Sequence, residues 1–190
     1  HGAEAGIVYH FDANGSVVNT FQNPTSTADD KFGRAVAVIG DDVLVGAGTA
    51  DTFGEDAGAF YLFDGTSGAL LRTFSHPEPS PGDLFGYQVS AYGDRILAGA
   101  RSDDTDGADT GMAFVFHRDG TLLHRLHNPT PGIEDLFSGT IAINGNQALI
   151  AAQKKDIGAT DGGAAYLFDL SSGDLIHTYV NPTPEVDDLF

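Results

Sequence analysis

"FGRAVAVIGDDVLVGAG", Phe32–Gly48, reads as two short strands and the turn between them. Apolar and small residues alternate from Arg34 to Ile39, the pattern of a strand with two unlike faces. Gly40-Asp41 supplies a tight two-residue turn, and Val43–Ala47 returns as a second strand. The stretch decides the fold because it recurs. "FGYQVSAYGDRILAGAR" (Phe85–Arg101) and "FSGTIAINGNQALIAAQ" (Phe137–Gln153) repeat it, with Gly93-Asp94 and Gly145-Asn146 at the turn. Phe32, Phe85, Phe137 and Phe190 follow one another at spacings of 53, 52 and 53 residues, a fixed period that signals a repeat architecture.

Working outward, a third segment follows each pair. "GAFYLFD" (Gly58–Asp64) returns as "GMAFVFH" (Gly111–His117) and "GAAYLFD" (Gly163–Asp169), and an earlier copy, "GIVYHFD" (Gly6–Asp12), opens the chain. Tyr61 and Phe63 alternate and predict one packed face. A polar turn leads to a fourth strand, Ala69–Phe74, and Asn-Pro or His-Pro then ends the ladder. No segment reads as a helix. The prediction is all-β: β-propeller blades, each a four-stranded antiparallel repeat of about 53 residues. Residues 1–20 read as a partial blade (third and fourth strands), 21–73, 74–125 and 126–178 as three full blades, and 179–190 as the lead-in to a further blade. Small residues on the first strands (Ala35, Ala37, Ser90, Ala142) suit crowding near an axis. Both ends fall inside a blade, so the chain reads as part of a larger propeller or assembly.

The phrases "FG…VLVGAG…GAFYLFD" resemble the FG-GAP repeat family, in its bacterial form related in architecture to the head of the integrin α-chain. The third copy departs from the motif, with Phe137-Ser138 for Phe-Gly and Ala151-Ala152-Gln153 for Gly-Ala-Pro. The resemblance implies a β-propeller in an exported or cell-surface protein. The integrin-type calcium loop lies between first and second strands, where this chain has only a two-residue turn, so that site does not carry over.

Charge limits the partners. Nine Lys and Arg stand against 27 Asp and Glu, a net charge of −18. Such a chain repels phosphate backbones and anionic membrane surfaces, which argues against nucleic acid as a partner. No apolar run is long enough for membrane insertion, and without cysteine there is no disulfide or thiolate chemistry.

The acids are unevenly placed. In an antiparallel blade the fourth-to-first and second-to-third connections share one face of the disc, and 19 of the 27 acids fall there. One recurs two residues before each Phe: Asp30, Asp83, Asp135, Asp188. Two bracket each second-to-third connection: Asp51/Asp56, Asp104/Asp109, Asp156/Asp161. Either these side chains hold turns by accepting backbone N–H groups, or they bind Ca²⁺, which needs six to eight oxygens. "DDTDGADT" (Asp103–Thr110), with Asp104, Asp106 and Asp109, is the best metal candidate, and it lacks the bidentate Glu of an EF-type loop.

The seven His residues share no metal spacing and read as surface substitutions, His76 in place of a turn Asn among them. Asn14–Ser16 is a glycosylation sequon in a turn. No nucleophile elbow or phosphate-cradling glycine motif is present, so no catalytic residue is expected. The leading expectation is a non-enzymatic extracellular or cell-surface module with a structural, adhesive or assembly role, whose partners are further blades or other copies. The alternative is Ca²⁺-dependent recognition of a glycan or protein ligand through the acidic face.

Overall fold

The computed structural model describes residues 6–25 and 29–190; His1, one of the seven His, and Glu4, one of the 19 acids counted on the loop face, lie outside them. Fourteen strands occur among the described residues, and no helix. A hairpin, β1 (Ile7–Phe11) and β2 (Val17–Gln22), precedes three four-stranded sheets. The first sheet is β3 (Ala35–Ile39), β4 (Asp42–Ala47), β5 (Ala59–Phe63) and β6 (Leu70–Ser75). The second is β7 (Phe85–Tyr92), β8 (Arg95–Ala100), β9 (Met112–His117) and β10 (Leu122–His127). The third is β11 (Phe137–Asn144), β12 (Gln147–Ala152), β13 (Ala164–Asp169) and β14 (Leu175–Val180). Every sheet is an antiparallel meander in chain order, the arrangement of a propeller blade. The predicted unit boundaries cut each fourth strand, which runs two residues further before Asn or His and Pro break the ladder.

The one-residue slip between units is absorbed in the turn after the third strand. The N–H of Asp64 reaches the carbonyl of Ala69 and that of Asp169 reaches Asp174, both at 2.8–2.9 Å, whereas His117 closes on Thr121 at 2.8 Å. The strands on either side are undisturbed.

Each apolar cluster fills the space between consecutive units. Leu44, Phe60 and Phe74 of the first sheet meet Phe85, Phe114 and Phe116 of the second. Phe60 stacks on Phe74 at 4.3 Å between centroids and lies 5.4 Å from Phe85. Leu97 and Val115 meet Phe137, Ile150 and Tyr166 across the next seam, and Phe21 meets Phe63 across the first. Burying one such Phe contributes about 1.5–3 kcal/mol. A middle sheet is therefore covered on both sides. All five residues of β5 are buried, which corrects the expectation of one packed face, while β13, covered on one side, alternates. Likewise Ala37 is half-buried and its counterpart Ala142 is exposed.

Backbone also ties the units. The N–H groups of Leu84 and Phe85 donate to the carbonyls of Asp56 and Ala57 at 3.1 and 3.0 Å, and those of Leu136 and Phe137 donate to Asp109 and Thr110 at 3.1 and 2.9 Å. The glycine that follows admits no side chain. A Cβ on Gly58 or Gly111 would stand 2.2 Å from the carbonyl oxygen of Phe85 or Phe137, and both glycines are left-handed (φ 80° and 82°). The Phe of each motif is thus the point where one unit is stitched to its predecessor.

Candidate functional site

The recurring acids are built into that stitching. In each bracketing pair the first carboxylate accepts the backbone N–H of the second: Asp51 from Asp56 at 2.8 Å, Asp104 from Asp109 at 2.7 Å, Asp156 from Asp161 at 2.9 Å. The second residue is left-handed in all three (φ 51°, 50° and 51°), a conformation Asp tolerates when its backbone is held. Its carbonyl then accepts the N–H of the residue before the next Phe, at 3.1, 3.1 and 3.0 Å. Asp106 is drawn elsewhere, its Oδ2 lying 2.7 Å from Nδ1 of His127. The seven candidate ligands therefore do not converge. Among the described residues no three His, Asp or Glu side chains come together as a metal site.

The acid two residues before each Phe is the hub of the Asn-Pro turn. Asp135 Oδ2 accepts from Asn128 Nδ2 at 2.7 Å, from the N–H of Gly132 at 2.8 Å and from Lys155 Nζ at 3.0 Å. Asp188 accepts from Asn181 and the N–H of Glu185, and Asp30 from Asn23 and Thr25. Asp30, Asp83 and Asp135 are buried.

The second unit solves the same problem differently, and one expectation from the sequence is corrected here. His76 is not a surface residue; it is 5% exposed, with its ring 4.6 Å from Phe114 and edge-on to it. It copies the Asn it replaces: Nδ1 accepts the N–H of Glu78 at 3.1 Å, as Asn128 Oδ1 accepts that of Thr130. That places the ring proton on Nε2, 2.8 Å from Oδ2 of Asp103. Asp103 replaces Ala50 of the first unit and Lys155 of the third. Burial pushes the Asp103 carboxyl up, but hydrogen bonds from His76 and Thr105 outweigh it and hold the group below its ordinary value. Asp83 has no such excess of donors. Burial raises it, opposed by the N–H of Ser80.

On the opposite face Asp12, Asp64, Asp119 and Asp169 sit in the turns after third strands. Asp119 is lowered to about 2, first by the N–H of Thr121. Asp64 is lowered first by the N–H of Ser67, and Asp169 first by the side chain of Ser171. These are turn-holding roles too.

Sequence reasoning missed a different group. Lys31, Arg34 and Arg101 line one cleft of about 260 Å³ with Gly48, Thr49, Leu84 and Tyr87, at the seam of the first and second units. Both guanidinium carbons lie 3.9 Å from the centroid of the Tyr87 ring. The signal available was departure from the repeat, because none of the three cations has a cationic counterpart in another unit.

Fold and seam together define a bladed repeat protein in which each unit docks on the one before. The family model described as FG-GAP repeat matches residues 25–63 and 75–116, so these two stretches are FG-GAP repeats. The third unit follows the first two strand for strand. Among solved structures the chain is similar to the crystal structure of the computationally designed Ika8 protein, at 17% identity and a TM-score of 0.60. The match covers 97% of this chain and 47% of that one, so the chain spans about half the length of that structure and the likeness is one of fold. None of the curated proteins matches the chain.

Proposed function

We infer that this is a non-enzymatic β-propeller repeat module that works by docking further blades, in a structural, adhesive or assembly role at an extracellular surface. One observation carries the reading. Leu44, Leu97 and Leu149 occupy the same place on the second strands of their units; the first two are fully buried under the next sheet, and Leu149 is 40% exposed. The opposite side repeats the contrast, with Val89 6% exposed and its counterpart Val36 56% exposed. Beside Val36 a cleft of about 600 Å³ is lined by Val8, Phe21, Val38 and Val43.

The occupant these faces suit is another blade of the same kind, from the same polypeptide or a second copy. The lead-in that ends at Phe190 already lies against Gly163, and the first strand of that blade would cover the exposed Leu149. Exposed apolar patches of this sort on a monomer mark interaction surfaces. FG-GAP repeats are typical of extracellular proteins, and no helix among the described residues is long and apolar enough to cross a membrane. The repeats support the surface location.

The test is the intact mass of the native polypeptide, with peptide mapping past Phe190, followed by light scattering in solution. Further blade peptides, or a 19.8 kDa chain that self-associates at micromolar concentration, are the expected results. A 19.8 kDa chain that stays monomeric at millimolar concentration overturns the reading.

A further inference from the structure

We propose that the cleft between the first two units binds a tetrahedral oxoanion, a sulfate or phosphate ester, through Lys31, Arg34 and Arg101. The chain has nine Lys and Arg in 190 residues and a net charge of −18, yet three of those cations line one cleft and no carboxylate lines it. It lies on the loop face, where most of the acids are. The three cations share one cavity there.

Local geometry explains how the cations are presented. β7 has a bulge after Phe85, where pairing jumps from Phe85–Ala100 to Gln88–Gly99, with Gly86 left-handed at φ 79°. A bulge re-aims the side chain it carries, and here it sets Tyr87 into the seam. Tyr87 becomes the surface on which both guanidinium groups rest, and Arg34 also donates to its hydroxyl. Stacking fixes the guanidinium planes while leaving N–H donors for an oxoanion. Arg101 Nε is buried and makes no hydrogen bond, so one donor at this cleft lacks an acceptor.

Lys31 is the sharpest clue. It is left-handed, φ 54°, at the place held by Leu84, Leu136 and Leu189 at 56°, 52° and 54°. The backbone of every unit has the same shape there, so architecture does not require a lysine. Arg34 and Arg101 likewise stand where the third unit has Gly139 and Gln153. The equivalent seam between the second and third units keeps the fold and has no such cluster. What differs between two seams of one geometry is not required by the fold.

Tetrahedral oxoanions fit better than a lone carboxylate. The overall field repels any anion, so binding depends on several short contacts at once, and three cations around a small cleft match an oxygen-rich, compact head group.

The test is a titration of the full chain, watching the Arg Nε–H resonances by NMR at constant ionic strength. The probes are inorganic sulfate, inorganic phosphate, galactose 6-sulfate, glucose 6-phosphate and acetate. Saturable shifts of Arg34 and Arg101 with sulfate or phosphate, at least tenfold tighter than with acetate, are expected. The two sugar esters then tell a sulfate source from a phosphate source. Arg101→Gln should weaken binding at least tenfold. Lys31→Leu, which installs the residue of the other units and so preserves folding, should weaken it at least threefold. Shifts no larger than those from chloride, or unchanged affinity in Lys31→Leu, overturn the proposal. This outcome is independent of the docking of further blades.

Discussion

The second and third units carry the same buried turn with opposite chemistry. In the third, Asp135 faces Asn128 and the ammonium of Lys155, which is 12% exposed, so the hub is an ion pair capped by an amide. In the second, a His replaces the Asn and an Asp replaces the Lys, giving two buried carboxylates around one imidazole. The first unit has the amide and the Asp but only Ala50 opposite. One backbone shape thus tolerates three charge states, provided Oδ2 of the hub Asp keeps its donors; the other oxygen of Asp30 is buried without one. What the repeat preserves is satisfaction of the turn rather than identity of the residues.

The largest effect should come from breaking the ion pair. Asp135→Ala leaves Lys155 without its carboxylate in a nearly closed site, and should cost about 3–5 kcal/mol of stability by urea denaturation. Asp30→Ala, the same change where Ala50 stands in place of Lys155, should cost only about 1–3 kcal/mol. Equal costs would mean that Lys155 contributes nothing to its hub.

A smaller change converts one unit toward another. His76→Asn restores the amide but strips Asp103 of its Nε2–H donor, and should destabilise by about 1–3 kcal/mol. Adding Asp103→Ala completes the first unit's arrangement and should recover most of the loss. If the double variant is no more stable than the single, the two residues are not coupled.

Titration separates the two carboxylates of the second hub. Carbon-detected NMR should place the midpoint of Asp83 above 3.8 and that of Asp103 below it. The signs for stability are therefore opposite. A raised folded value means that the contribution of Asp83 is complete below 3.8 and is lost as pH rises through its folded midpoint. A depressed value means that the contribution of Asp103 is present above 3.8 and is lost as pH falls through its folded midpoint. His76→Asn should move Asp103 upward, because one of the bonds that lowers it is gone.

The smallest effect concerns what all three units share. The bracketing pairs spend a carboxylate oxygen on a backbone N–H in the same way three times. Melting in millimolar calcium and in chelator should then agree to within about 1 kcal/mol, whereas a site at 100-fold excess over its Kd would give about 2.7 kcal/mol. A shift of the larger size would make the loops calcium sites.

Sequence alone determined the period, the four strands per unit, the tight Gly-Asp and Gly-Asn turns and the placement of acids, because each of these is set within a few neighbouring residues. Alternation, turn chemistry and the Asn-Pro break are local, and local physics repeats when the sequence repeats. Only the tertiary structure decided the rest. Whether Leu149 is exposed while Leu44 and Leu97 are buried depends on the sheet that lies above each, and nothing beside Leu149 in the chain tells it apart. His76 reads as a surface residue until Asp103, 27 positions later, is folded against it. Lys31, Arg34 and Arg101 are scattered over seventy residues and become one cleft only when the second unit docks on the first. Contacts across a seam join distant segments, and their energy belongs to the pair of units rather than to either stretch of chain.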